Sequence, residues 1–169
     1  METMTQALSR TYNGHLVDLL DFKPYPDIVT DLAHHLGMIP RFNGAVRRFY
    51  SVAEHSVNVS ILMGGSLAGL LHEAGEAFVQ DINGNLKRSG RLGDYGAIEN
   101  EIHGRILDYL GVSPESYAEA DRKMLELEGD ALIKGWNGNA VYMKKASLSC
   151  LMPDAAEQLF LDAWKKLKK

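Results

Sequence analysis

Cysteine is nearly absent from this chain. Cys150 is the only one in 169 residues, which excludes an internal disulfide framework and an all-cysteine zinc site. No apolar run approaches the ~18 residues of a membrane span, so no membrane partner is expected. The first stretch, METMTQALSRTYNGHLVDLLDF, lacks the positive flank, apolar core and small-residue cleavage site of an export signal. A reducing, cytoplasmic setting is the expectation. Positive charge is in deficit, with 18 Lys and Arg against 22 Asp and Glu and a net charge of -4. Such a surface does not neutralise a phosphate backbone, so no nucleic-acid polymer is expected as a partner. Internal repeats are missing too, and the lysine-rich end KKLKK is the one biased tract.

What is present is ordinary globular material, 46% hydrophobic and 24% charged, enough for one domain spanning 1–169. Segment 1–26, with Gly14, Pro24 and Pro26, reads as irregular or a short hairpin. Ile28, Leu32 and Leu36 predict a helix that Gly37 stops, followed by a loop through Pro40 and Asn43-Gly44. Val52, Ser56, Val59 and Met63 make the stripe of a second helix. Leu67, Leu70, Leu71, Ala74, Ala77 and Phe78 predict a third. A polar loop then leads to a helix aligned on Ile98, Ile102, Ile106 and Leu110 and stopped by Gly111. Ser113 and Pro114 look like the start of a long helix reaching about Ile133. Residues 154–169 form an amphipathic C-terminal helix carrying Leu159, Phe160, Ala163, Trp164 and Leu167. The predicted fold is all-α, an irregular single-domain bundle with a short N-terminal hairpin allowed.

Within this pattern, YSVAEHSVNVSILMGGSLAGLLHEAGEAF sets His55 and His72 among apolar residues, with Glu73 and Glu76 beside the second. Asp121 falls on the apolar side of the later helix, flanked by Tyr117, Met124 and Leu125. Acids in such places need a partner or a metal, since an isolated buried carboxylate costs several kcal/mol. From spacing alone, His55, His72, Glu73 and Asp121 read either as hydrogen-bonded core residues or as ligands of one divalent cation. Imidazole and carboxylate suit Co, Mn, Zn or Fe, with Mg also allowed. HEAGE begins like the zinc-peptidase motif H-E-x-x-H, but Glu76 replaces the second histidine. Asp130 is a runner-up ligand that Asp121 outranks, and His34, His35 and His103 read as structural.

The ordered strings DIVTDLAHHLG, RFNG, FYSVAEHS, AGLLHEAGEAFVQDINGNLK and AEAD, from about Thr11 to Leu132, resemble the HD-domain phosphohydrolases. Within that superfamily they are most similar to small members related to bacterial 5′-deoxynucleotidases and phage dATP triphosphohydrolases. The resemblance implies a metal site of His55, His72, Glu73 and Asp121. It also implies Glu76 and Asp81 as the catalytic acids that orient or activate water, and Arg41 and Lys87 as phosphate-binding groups. Phe42 would pack on the nucleoside, with Met38 and Ile39 expected beside it. Two departures stand out: His72-Glu73 replaces the family's His-Asp doublet, and Ala118 stands where many relatives carry a base, a gap that Arg122 or Lys123 would have to fill. The implied activity is metal-dependent hydrolysis of free deoxynucleotides, deoxyadenosine forms (dATP, dADP or dAMP) being the specific expectation, by a homo-oligomer. A catalytically silent nucleotide-binding protein and, further off, a metallopeptidase are the alternatives.

Overall fold

A computed structural model of the chain describes residues 6–136 and 148–169. The domain is mostly helical, with an N-terminal hairpin in which β1 (Leu8–Arg10) pairs antiparallel with β2 (Leu16–Asp18), Ser9 standing opposite Val17. Of the two forms expected for segment 1–26, irregular or a short hairpin, part of it takes the hairpin; residues 1–5 lie outside the described residues. The helices are α1 (Ile28–Met38), α2 (Val52–Leu62), α3 (Leu67–Leu71), α4 (Glu76–Val79), α5 (Gly84–Arg88), α6 (Tyr95–Leu110), α7 (Ala118–Leu132) and α8 (Pro153–Leu167). None of them is long and apolar enough to cross a membrane.

The core gathers Phe22, Ile28, Leu32, Leu36, Leu70 and Leu71 with Ile102, Ile106 and Phe160. Ile28, Leu32 and Leu36 are buried at the expected four-residue spacing, but Gly37 does not end α1. A β-carbon there would stand 3.0 Å from the Pro153 carbonyl oxygen, so Gly37 is the notch that admits the start of α8. Pro153 occupies the first turn of α8, where its missing N–H is no loss. The apolar face of α8 packs on α1, α2 and α3, with Ala156 and Phe160 fully buried.

α2 lies at the centre. Ser51 caps it, its hydroxyl accepting the Glu54 N–H at 3.1 Å, and every residue from Val52 to Ser60 is buried. The expected single stripe understates this burial on all sides. The continuous helix expected from Leu67 to Phe78 is instead divided. After α3, the N–H groups of Ala74, Glu76 and Phe78 bond to carbonyls three residues back, a tighter 3-10 winding that turns His72 and Glu73 toward α2. Gly75 allows α6 to close over this turn, since a β-carbon there would lie 2.7 Å from the Glu99 carbonyl oxygen.

α6 runs as expected and stops at Gly111, whose φ of 64° is left-handed. α7 begins at Ala118, not at Ser113–Pro114. Val112 is buried and its N–H bonds to the Leu107 carbonyl, while Glu115 accepts the Ser66 hydroxyl, so residues 112–117 serve as a crossing segment. The polar stretch read as a loop contains the short helix α5, which carries Lys87.

Candidate metal centre

Three elements converge. α2 supplies His55, the tight turn after α3 supplies His72 and Glu73, and the first turn of α7 supplies Asp121; one ligand atom from each of these four lies within 4.8 Å of all the others. His55 Nε2 stands 3.2 Å from His72 Nε2, 3.2 Å from Asp121 Oδ1 and 3.7 Å from Glu73 Oε1. His72 Nε2 is 3.4 Å from Glu73 Oε1 and 3.9 Å from Asp121 Oδ1. Two donors about 2.1 Å from a common ion at the tetrahedral angle would stand roughly 3.4 Å apart, so this spread fits a small cation. Glu73, one methylene longer than aspartate, reaches the cluster.

The far side of each ring decides what its near side can do. His72 Nδ1 sits 2.8 Å from the Gly69 carbonyl oxygen, which only accepts, so Nδ1 donates and the neutral tautomer leaves the lone pair on Nε2. His55 Nδ1 sits 2.6 Å from Glu128 Oε1. Burial pushes Glu128 up, but His55 and Arg41 outweigh it and hold the carboxyl below its usual range, so it too accepts. With each Nδ1 engaged in this way, the two Nε2 atoms face each other and two carboxylates. Four electron-rich atoms facing inward require a cation between them, a metal ion or a proton. This donor set fits a divalent transition metal, each imidazole braced by an acceptor on its other nitrogen. In the metal-free chain the proton serves instead. Burial and Arg41 push the His55 imidazolium down, yet Glu128 and Asp121 prevail and raise it to about 9.

Arg41 ties this ring of acids together. It starts the 3-10 turn Arg41–Gly44, where Phe42 (φ 55°) and Asn43 (φ 51°) are both left-handed, a conformation that costs non-glycine residues roughly 1–2 kcal/mol each. That bend drives the guanidinium inward, to 3.2 Å from Glu128 Oε2, 3.4 Å from Glu73 Oε1 and 4.0 Å from Asp81 Oδ2. Burial pushes Glu73 up, but His72, Arg41 and His55 together hold it well below the carboxylate range.

Outside the cluster lies a cavity of about 480 Å³ whose wall includes Arg41, Phe42, Glu73, Glu76, Asp81 and Lys87. The residues assigned to water and phosphate handling therefore share one space with the metal centre. Glu76 is not a fifth ligand. Its Oε1 accepts from Lys87 Nζ at 2.7 Å, and Lys87 also reaches Glu99 at 2.8 Å. Glu76 Oε2 and Glu99 Oε2 are buried with no hydrogen-bond partner among the described residues. Burial, reinforced by the charges of Glu73 and Asp81, pushes Glu76 up to about 9 despite Lys87, and burial raises Asp81 in the same direction. Glu76, in the place of a peptidase motif's second histidine, meets a lysine, so that motif's second ligand is missing.

Several expectations fail on geometry. Met38 and Ile39 line a different depression, beneath the hairpin with Tyr12 and His34, and not the cavity at the metal centre. Neither Arg122 nor Lys123 faces the cavity; Lys123 pairs with Glu119 at 2.6 Å, while Arg88 of α5 lines the wall. Asp130 does not join the cluster. His34, His35 and His103 are structural: they meet Glu157 Oε2, the Ala77 carbonyl and the Leu71 carbonyl at 2.8, 2.8 and 3.1 Å. Sequence reasoning missed Glu128, although an acid in the buried four-residue series Met124, Glu128, Leu132 was a visible signal. It also missed Glu99 and Trp136, which carry no comparable mark. Glu54 was missed as well; this buried carboxylate accepts the backbone N–H groups of Ser149, Cys150 and Leu151 at 2.7, 3.1 and 2.9 Å.

No family model matches the chain. It is 40% identical over 89 residues to the uncharacterized protein YfdR of Escherichia coli (strain K12), a stretch that covers 52% of this chain and 49% of that protein. It is 37% identical over 90 residues to the uncharacterized protein RCAP_rcc00048 of Rhodobacter capsulatus, covering 47% of this chain and 46% of the relative. The chain thus spans about half the length of the curated relatives it matches.

Proposed function

We propose that this chain is a metal-dependent phosphohydrolase of the HD-domain type that acts on free deoxynucleotides, with deoxyadenosine nucleotides as its substrates. The reading rests on one observation: two imidazole nitrogens, each left with a lone pair by its partner on the other side, converge with two carboxylates at the floor of a cavity that also holds cationic side chains. His55, His72, Glu73 and Asp121 would hold one divalent ion, Co, Mn, Zn or Fe before Mg. That ion supplies Lewis acidity and a lowered pKa for water.

The chain's own residues do the rest. Arg41, charged and braced by Glu128, keeps Glu73 ionised and presents positive charge to phosphate oxygens. Glu76 and Asp81 stand where a water proton can be taken or returned, the role the resemblance gives them. Lys87 would exchange Glu76 for a phosphate oxygen while keeping Glu99, which frees the Glu76 carboxylate as substrate enters. A cavity of this size suits a nucleotide better than a polymer. The setting we infer is the cytoplasm. The working unit the resemblance implies is a homo-oligomer.

The test is a panel of ribo- and deoxynucleotides with Mn, Co, Zn, Fe or Mg, the products resolved by chromatography. Release of deoxyadenosine with phosphate, pyrophosphate or triphosphate is expected, and the product also identifies the bond cleaved. The Lys87–Glu76 pair favours a second reading, a nucleotide-binding protein without turnover. Nucleotide binding with no phosphate release under any of the metals would select it.

A further inference from the structure

The cavity at the metal centre has an aromatic corner that the sequence did not reveal. Trp136 lines it together with Phe42, their ring centroids 6.2 Å apart and their planes 70° to one another. The two rings come from distant parts of the chain, and each is fixed from behind. Phe42 has the Arg41 guanidinium carbon 5.4 Å from its ring centroid, and its left-handed backbone sets its direction. Trp136 follows Gly135, whose φ of 80° turns the chain back over α7, and its indole rests on Gly129. Any β-carbon at position 129 would collide with that indole, so the glycine is what seats it. Trp136 Nε1 points toward Glu126 Oε2 at 3.4 Å.

Position along α7 relates this corner to the metal centre. Asp121, Leu125 and Gly129 follow one another at four-residue spacing and so share a face of the helix. Asp121 is a ligand, Leu125 lines the cavity, and Gly129 carries the indole. At the rise of an α-helix the face runs roughly 12 Å from acid to indole. A molecule lying along it would have its charged end among Arg41, Lys87 and the metal ligands and its other end against two rings. Rings at a steep angle accept a flat heteroaromatic group, which stacks on one and meets the edge of the other.

We infer that Trp136 and Phe42 form the base-holding corner of the site, taking the purine of the nucleotide while the phosphate lies at the metal centre. The inference rests on the phosphohydrolase reading and adds to it a second aromatic residue, its seat and the orientation of the substrate. Because an aromatic face recognises any base by stacking, this corner provides affinity for a nucleobase, with discrimination left to the polar groups around it.

The chain has two tryptophans, so a Trp164→Phe background leaves Trp136 as the reporter. The metal-loaded protein is titrated with deoxyadenosine, which it does not consume, and with 2-deoxyribose, which lacks the base. Quenching or shift of the indole emission is expected with deoxyadenosine and not with the sugar. In the wild-type background, Trp136→Ala and Gly129→Ala are each expected to weaken deoxyadenosine binding by about tenfold or more, with Trp136→Phe restoring most of it. Under turnover, Trp136→Ala should raise KM for the deoxynucleotide while kcat/KM for 2-deoxyribose 5-phosphate stays unchanged. Deoxyadenosine binding seen by calorimetry but equal in wild type and Trp136→Ala would overturn the corner and leave the hydrolase reading standing. Phosphate release without any effect of Trp136→Ala on KM would do the same. Neither binding of deoxyadenosine nor release of phosphate from deoxynucleotides would overturn both.

Discussion

The buried acid beneath the hairpin and the acids between α2, α3 and α7 satisfy their charges in opposite ways. Asp31 is fully buried, and donors meet both its oxygens: the Asn13 N–H at 2.9 Å and the Tyr25 hydroxyl at 2.7 Å. Burial pushes its carboxyl up, but those hydrogen bonds and that of Thr11 bring it below the ordinary value. Glu54, with its three backbone N–H donors, follows the same rule. At the metal centre Arg41 reaches Glu73 from one side at 3.4 Å, but across the cluster Glu73 and Asp121 face the Nε2 atoms of two imidazoles whose other nitrogens are already engaged. A buried carboxylate surrounded by donors holds a fold together, whereas one surrounded by other acceptors is waiting for a cation.

The sharpest break of this comparison is mutation at each centre. His72→Ala and Asp121→Ala are expected to abolish both bound metal and turnover, read by elemental analysis and phosphate release. Asp31→Asn should leave metal content intact and lower stability by about 1–3 kcal/mol in chemical denaturation, the penalty for a disrupted buried hydrogen bond. If Asp31→Asn removed the metal as well, the two centres would not be separable.

Next in size is Glu128, which belongs to both classes: it is a donor-satisfied buried acid whose donors are His55 and Arg41. Glu128→Gln is expected to weaken metal affinity about 10- to 100-fold by calorimetry, as removal of an outer-shell partner does elsewhere. An unchanged affinity would show that the His55 tautomer does not depend on it.

A pH series sharpens the comparison further. The His55 imidazolium, raised in the metal-free fold from its ordinary value near 6.5 to about 9 by Glu128 and Asp121, contributes stability that is fully present below about 6.5 and is lost as pH rises through 9. A bound ion takes the proton's place, so the metal-loaded chain should show no such loss in that window. Melting temperature against pH for the two forms is the measurement, and parallel curves would contradict the proton's role as the stand-in cation.

The smallest expected effect is that of Glu73→Asp. Because Glu73 Oε1 already reaches the cluster and Arg41 steadies it, the shorter acid should keep the metal and retain or modestly raise turnover. Complete loss would mean that the site is built around the longer side chain.

Much of the helical framework was legible because α1, α6 and α8 each bury one face, and a stripe is visible in sequence. α2 was located but its burial was not, since Ser56, Asn58 and Ser60 disguise a helix enclosed on all sides. The division of α3 from α4 could not be seen, because a 3-10 turn at His72–Gly75 keeps the apolar spacing of a helix. Ser113-Pro114 carried good start signals that the docking of Val112 overrode. At the site, the four residues able to hold an ion were named from motifs, while Glu128 and Trp136 owe their places to contacts between residues far apart in the chain. The left-handed turn at Phe42-Asn43, which aims Arg41 inward, is likewise a property of the fold.

The central claim is that four side chains from three elements hold one divalent ion. Isothermal titration of the metal-stripped protein with Mn, Co and Zn tests it most directly, with His72→Ala as the control. One ion per chain in the wild type and none in the variant is the expected result. A wild-type chain that takes up no ion, or a variant that binds as well as the wild type, would contradict the account.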